Sequence, residues 1–156
     1  MTKCIPIGSL MIALLILVPH GAFGQQPESF QYAVKFVCGK GDGNVLAPGR
    51  YFTAINVHNP TDQTINFSKK FAIALPGERP GPVSQTFDAQ LRQDQALEID
   101  CPDIVQLSPI RADFIKGFVV IKSGIELDVV AVYTASGATD RVETLHLERV
   151  APRQQR

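Results

Sequence analysis

Two histidines and one carboxylate come nearest to a chemical site in this sequence. His146 and Glu148 stand two residues apart, so on a strand both side chains lie on one face. Imidazole and carboxylate bind zinc, but a catalytic zinc needs a third protein ligand. His58 is the remaining candidate, and nothing in the sequence brings it to the other two. The pattern favours surface histidines, and we expect no metal and no cofactor.

Other kinds of catalysis lack a matching motif. The sequence has no Gly-x-Ser-x-Gly elbow, which an esterase-type nucleophile needs. The glycine-rich stretch from Gly39 to Gly49 lacks the Gly-Lys-Ser/Thr of a phosphate-binding loop. The sequence therefore favours a non-catalytic binding or assembly module of unknown ligand. The alternative is a small metal-dependent enzyme that uses His58, His146 and Glu148.

The N-terminal segment, residues 1–24, has the order of a secretory signal peptide. Lys3 precedes an apolar run, and the run ends in the small-residue sequence Ala22-Phe23-Gly24. Its removal predicts a secreted or periplasmic protein with no transmembrane segment. The remaining chain has 14 basic and 15 acidic side chains without a block of like charge. Nucleic acid is therefore not an expected partner, because binding to phosphates needs clustered cations.

Cys38 and Cys101 are the cysteines that follow this segment. Both thiols are predicted to point inward, because each cysteine continues an alternation of apolar residues. Cys38 follows Tyr32, Val34 and Phe36, and Cys101 follows Leu97 and Ile99. Export favours oxidation, and we expect a disulfide that closes about 64 residues and stabilises by ~4 kcal/mol. Two buried free thiols are the alternative.

The longest stretch of strand composition runs from Phe114 to Thr134. It predicts a β-hairpin around a three-residue Lys122-Ser123-Gly124 loop, with Gly124 in the left-handed region. In this register one face of the hairpin is wholly apolar and is predicted to face the core. Its residues are Ile115, Gly117, Val119, Ile121, Ile125, Leu127, Val129, Ala131 and Tyr133. The other face still carries a group of apolar side chains, which predicts an interface with another subunit or cover by a loop. That group consists of Phe114, Phe118, Val120, Val130 and Val132.

Further strands are expected on both sides of the hairpin. Their predicted ranges are 30–38, 50–58, 64–75, 87–91, 96–100 and 142–150, the last with Leu145 and Leu147 inward. Lys69 interrupts the apolar face of the third strand, which suggests a bulge or an edge position. The proline-rich segment 76–82 is expected to form no regular element, and 102–107 one helical turn. About eight strands predict an all-β, antiparallel β-sandwich at residues 25–150, followed by a flexible tail at 151–156.

Four segments carry a resemblance to known proteins. They read AINVHNPTDQTINF, ALPGERPGP, LEIDCPDI and GFVVIKSGIELDVVAVYTA. They resemble segments of a family of uncharacterised exported bacterial β-proteins, a resemblance that implies no activity and no functional residues. The layout is also distantly similar to the sensory rhodopsin transducer family. That similarity implies an all-β, oligomeric architecture, whereas the export signal and the cysteine pair depart from the family's pattern.

Cleavage of the signal peptide is testable on exported material. We expect the mature chain to begin at Gln25, because Ala22 and Gly24 satisfy the small-residue rule for cleavage after Gly24. Intact mass spectrometry checks this, with allowance for cyclisation of the N-terminal glutamine. Exported protein that retains Met1 would contradict the prediction.

Overall fold

The computed structural model describes residues 30–137 and 141–154, so the predicted signal peptide lies outside the described residues. Within those residues the chain forms ten strands and one helix. In chain order these are β1 Phe30–Gly41, β2 Gly49–His58, β3 Ile65–Ala74, β4 Pro80–Val83, β5 Phe87–Leu91, β6 Ala96–Asp100, α1 Cys101–Leu107, β7 Phe114–Ser123, β8 Asp128–Ser136, β9 Val142–Arg149 and β10 Arg153–Gln154. The predicted all-β, antiparallel class is confirmed. None of the described helical residues form a segment long and apolar enough to cross a membrane.

The strands form one continuous antiparallel sheet in the order β4-β3-β7-β1-β2-β8-β9. In addition, β5 pairs with β3, β6 with β2 and β10 with β1. Strand β1 pairs with β7 along residues 30–39 but with β2 only at residues 39–41. We call β4, β5, β3, β7 and β1 wing A, and β6, β2, β8 and β9 wing B. The described strands thus form one continuous sheet, whereas the sequence predicted a β-sandwich.

Both wings contribute to a single hydrophobic core. On β1 the alternation of side chains buries Tyr32, Val34 and Phe36 completely, while Ile55 on β2 and Val129 on β8 are buried to the same degree. Side chains on one face of a strand recur at every second residue, so each wing presents one apolar face. The two apolar faces enclose the core between them, as the layers of a sandwich do.

The wings separate where β1 turns from β7 toward β2, at Gly39. This residue has a φ of 105°, and a Cβ placed on it would lie 1.9 Å from the carbonyl oxygen of Asp113. Only glycine fits a positive φ and so close an approach. Two residues before Gly39, the backbone of Val37 is bonded to a side chain of β2. The Thr53 hydroxyl accepts from the Val37 N–H at 3.0 Å and donates to the Val37 C=O at 3.1 Å. A side chain thus supplies the hydrogen bonds that a neighbouring strand would supply elsewhere.

The predicted hairpin between β7 and β8 is wrong. Strand β7 pairs with β1 and β3 in wing A, whereas β8 pairs with β2 and β9 in wing B. The connection through residues 124–127 is therefore an arch between the wings, and Gly124 does not have a positive φ. The predicted inward residues are nevertheless right, since Ile115, Val119 and Ile121 are buried. A hairpin and an arch place the same alternate residues in the core. The alternation of buried and exposed residues along each strand therefore does not distinguish them.

Two smaller expectations also differ from the structure. The proline-rich segment contains a short strand, β4, which pairs with β3 at two positions. Lys69 lies at neither a bulge nor an edge, because β3 runs between β7 and β5 there; the register shift falls between Ala72 and Ala74. Within the tail predicted at 151–156, β10 pairs with Phe30 and Gln31 of β1.

Helix α1 begins one residue before its predicted start. The Asp100 carboxylate accepts from the backbone N–H of Asp103 at 3.1 Å, and the Asp103 carboxylate accepts from Asp100 N–H at 3.4 Å. This reciprocal capping box satisfies donors that the first turn leaves free. Pro102 lies in that turn, where its missing N–H costs nothing. The helix directly follows β6, so the inward side chain of Cys101 is held at the start of the helix.

Two buried polar side chains fix loops to the core. The Tyr32 hydroxyl donates to Leu127 C=O at 2.9 Å and accepts from Leu127 N–H at 2.7 Å, and thus ties β1 to the arch before β8. Burial raises the pKa of Tyr32. The Asn59 amide donates to the carbonyls of Gln63 and Arg92, joining the turn after β2 to the turn after β5. Both side chains are fully buried, so removing either leaves backbone groups without partners.

The predicted disulfide is confirmed: Cys38 and Cys101 are bonded with a Cα–Cα distance of 5.5 Å. Reduction should lower the free energy of unfolding by roughly 2–5 kcal/mol, because the bridge restricts the unfolded chain. Urea unfolding with and without reductant measures this. Cys38→Ser, Cys101→Ser and the double variant should lose similar stability.

The double variant is also the control, since reductant should leave its stability unchanged. Detection of two free thiols in unfolded protein that was never reduced would contradict the bridge in solution.

Candidate functional site

A cleft of about 810 Å³ opens where β1 and β2 diverge from their partners. The Cys38–Cys101 disulfide lies in its lining, the first turns of α1 form one side, and the end of β8 forms another. The volume is within the range of ligand-binding clefts in proteins, roughly 300–1,000 Å³. The cleft exists because Gly39 lets β1 leave β7 at this point, and α1 then covers the gap from one side.

Three cationic side chains line this cleft, against one carboxylate. Lys40 on β1 and Arg50 on β2 are directly opposite each other in the antiparallel register. Arg111 stands beyond the helix, and its guanidinium donates to the carbonyls of Val105 and, at 2.9 Å, of Gln106. These bonds hold the cation at the C-terminal end of α1, where the helix dipole favours positive charge. Together with Asp113, these side chains give the cleft a net positive charge.

Two aromatic residues, Tyr51 and Phe52, belong to the lining of the cleft. The Tyr51 ring meets the Phe114 ring edge to face, with centroids 5.9 Å apart. The Tyr51 hydroxyl donates to Ala47 C=O at 2.6 Å, which ties the ring to the loop between β1 and β2. Phe52 follows on the same strand and is partly exposed. The cleft thus combines cations with aromatic surface.

Apart from the two cysteines, the residues that line this cleft were not assigned a role from the sequence. Lys40 lies within the glycine-rich stretch 39–49 and Arg50 directly follows it. That stretch was interpreted as a connection alone. The structure shows that β1 continues to Gly41 and that β2 begins at Gly49, so both cations stand on paired strands. A cation at each end of a glycine-rich hairpin connection is the one signal that could have indicated them.

The structure does not bring together the predicted metal ligands. His58 Nδ1 lies 3.3 Å from Asp128 Oδ2 on the outer face of wing B, and Arg149 donates to the other oxygen of that carboxylate at 2.8 Å. His146 is paired with Tyr133, five residues further along β8 and on the opposite face. Five residues of strand span roughly 17 Å. Among the described residues no group of three His, Cys, Asp or Glu side chains could hold a metal ion.

His146 and Glu148 belong instead to a small cluster with Tyr133. The imidazole stacks on the Tyr133 ring with centroids 6.0 Å apart, and the Tyr133 hydroxyl donates to Glu148 Oε2 at 3.2 Å. Burial, and then the Glu148 carboxylate, raise the pKa of Tyr133. A neutral phenol that donates to the carboxylate is thus the form present at neutral pH.

The five residues of the predicted interface lie on different surfaces. Phe118 and Val120 belong to the outer face of wing A, between β1 and β3, whereas Val130 and Val132 belong to the outer face of wing B. Phe114 stands at the end of β7 against Tyr51. They were assigned to one surface because β7 and β8 were expected to pair. They do not form a single patch.

On wing A the exposed ring of Phe118 is partly covered from its own subunit. Lys35 Nζ stands 5.0 Å from the centroid of that ring, and 41% of the Phe118 side chain remains exposed. An ammonium over an aromatic face is attracted by the ring's electrons. Burial, and then repulsion from Lys116, lower the pKa of Lys35.

No protein-family model matches the chain, and no curated protein matches it. A solved structure described as "Crystal Structure of Thermotoga maritima 1070" is similar, at 10% identity and a TM-score of 0.49. The match covers 80% of this chain and 92% of that chain. At this level of similarity it carries no argument about function.

The separation of the histidines leads to a prediction about metal. Addition of zinc should leave the melting temperature unchanged, because two histidines on opposite faces of wing B cannot share one ion. Thermal unfolding with and without zinc measures this, with metal content of chelator-free protein as a second readout. A rise in melting temperature that both His58→Ala and His146→Ala abolish would contradict it.

Proposed function

We propose that this chain is a secreted or periplasmic binding module, and that the cleft above the disulfide is where it binds. The observation that carries the proposal is the lining: Lys40, Arg50 and Arg111 stand beside aromatic surface at the divergence of β1 and β2. Such clefts, mostly apolar with a few polar groups that fix orientation, are the usual form of small-molecule sites. The metal-dependent enzyme considered from the sequence is not proposed further, because its three residues lie apart.

The chemistry of the lining favours an anionic ligand with an apolar part. Opposed strands fix Lys40 and Arg50 as a pair, so a carboxylate, sulfonate or phosphate between them would meet two cations at once. The rings of Tyr51 and Phe52 supply surface for an apolar portion of the same molecule. Asp113, whose carbonyl accepts from the Lys40 N–H at 3.0 Å, would disfavour a second negative charge in the cleft. A monoanionic amphiphile is therefore the ligand class that fits best.

Location outside the cytoplasm is part of the proposal and has separate support. The disulfide joins two side chains that are almost completely buried, which fits a protein that folds where thiols are oxidised. The segment 1–24 has the composition of a secretory signal. A choice between the periplasm and the extracellular medium depends on the cell envelope of the source.

Binding can be tested with anilinonaphthalene sulfonate, a fluorescent probe that has one sulfonate and apolar rings. We expect saturable binding, weakened roughly tenfold by Lys40→Glu or Arg50→Glu, because each charge reversal replaces a charge-assisted contact with repulsion. Fluorescence titration at constant ionic strength measures the dissociation constant. Added salt should weaken binding to the unchanged protein, since the two cations are exposed.

Arg92→Glu is the matched control, because Arg92 is an exposed cation in the turn between β5 and β6, outside the cleft. It should leave the dissociation constant unchanged. Thermal unfolding of every variant separates a local effect from loss of fold. Equal binding by Lys40→Glu, Arg50→Glu and Arg92→Glu would place the probe elsewhere and exclude the cleft as its site.

A further inference from the structure

Strand β9 forms an exposed edge of the sheet in the described part of the chain. It pairs with β8 along one side, and no described strand pairs with its other side. All eight of its residues are exposed, including Leu145 at 62% and Leu147 at 61%. The prediction that these leucines point inward is wrong. An edge strand with exposed apolar side chains is a template for pairing with another chain.

The outer face of wing B leads to this edge as two parallel apolar rows. In the strand registers Leu145 lies beside Thr134, which lies beside Phe52. Leu147 lies beside Val132, which lies beside Ala54. The two leucines are therefore the open ends of rows that begin inside the sheet. A strand added to the edge would extend both rows.

The sequence of β9 is complementary to itself in the antiparallel direction. With His146 opposite the His146 of a second copy, Leu145 meets the partner's Leu147, and Glu143 meets the partner's Arg149. The two-fold axis repeats each contact, which gives two leucine pairs and two ion pairs from one register. Directly opposed apolar residues and opposite charges are the cross-strand pairs that stabilise sheets.

We propose that two copies of this chain associate through β9, in the register centred on His146, to form a sheet that is continuous across both subunits. The occupant of the edge is a second copy because charge and apolar pattern match under a two-fold axis, as an isologous interface requires. This inference rests on the strand edge and not on the cations Lys40 and Arg50, which lie on β1 and β2, although Val142 at the start of β9 also lines the cleft. It goes beyond that function by assigning a partner.

Two local features of β9 bear on this register. Arg149 already donates through one terminal nitrogen to Asp128, but a guanidinium has five N–H donors and can serve a second carboxylate. Glu143 is the extra residue of a β-bulge, because Ala135 pairs with Thr144 and Ser136 pairs with Val142, and its carboxylate lies beside Gly137. The proposed ion pairs therefore require this carboxylate to turn from Gly137 toward the second copy, whereas the central leucines keep their regular alternation.

Charge reversal tests both the surface and the register. Sedimentation velocity from roughly 1 to 200 µM should show a monomer–dimer equilibrium, because a single strand pair buries a small interface. Glu143→Arg places arginines opposite each other twice, and Arg149→Glu does the same with glutamates. Each variant alone should dimerise at least roughly tenfold more weakly. An equimolar mixture of the two should restore association, because every opposed pair in the mixed dimer is again Arg with Glu.

Melting temperatures of the variants show whether each one folds, since Arg149→Glu also removes the contact with Asp128. Leu147→Asp supplies a test that does not depend on charge pairs, and Phe118→Glu on wing A is its matched control. The inference predicts that Leu147→Asp dissociates the dimer and Phe118→Glu does not. It is overturned by a wild-type protein that stays monomeric at the highest concentration, by a folded mixture that stays monomeric, or by dissociation from Phe118→Glu alone.

Discussion

The fold depends on how β1 serves two parts of one sheet. Along residues 30–39 it pairs with β7, and its last three residues pair with β2. Such a change of partner leaves backbone groups of β1 without a strand partner between the wings. A buried peptide group without a hydrogen bond costs free energy of folding. The Thr53 hydroxyl supplies both hydrogen bonds that Val37 would otherwise lack. Gly39 supplies the backbone conformation that the turn requires.

The disulfide lies beside the residues where β1 changes partner. It joins β1 of wing A to α1, which directly follows β6 of wing B. Cys38 immediately precedes Gly39, and Cys101 begins α1, whose first turn is held by the capping box of Asp100 and Asp103. The Thr53 N–H also donates to Cys101 Sγ at 3.1 Å. The helix is thus attached across the opening between the wings. The cleft is a direct consequence, because the wings part on one side of this attachment and α1 covers the other.

Binding and assembly use adjoining regions of the molecule, since Phe52, Thr134 and Val142 also line the cleft. The cleft lies where strands diverge and where Lys40 and Arg50 are held as an opposed pair. The β9 edge lies where wing B ends, and there strand pairing rather than a pocket offers the contacts. The apolar outer residues of β7 belong to neither region. Lys35 over the Phe118 ring shows how the chain covers part of that face by itself.

The sequence by itself determined which residues of β1 and β7 face the core. Alternation of apolar side chains identified Tyr32, Val34 and Phe36 on β1 and Ile115, Val119 and Ile121 on β7, and the same alternation identified the disulfide. This succeeds because the two faces of a strand follow from local geometry, whatever its neighbours are. Strand partners do not follow from local geometry. The tertiary structure decided the arch between β7 and β8, the edge position of β9 and the presence of Lys40 and Arg111 in one cleft. Each of these features depends on contacts between residues far apart in the chain. The outward position of Leu145 and Leu147 has the same cause: an apolar side chain is buried only where a second layer lies over it, and both leucines lie on the outer face of wing B, beside Thr134 and Val132.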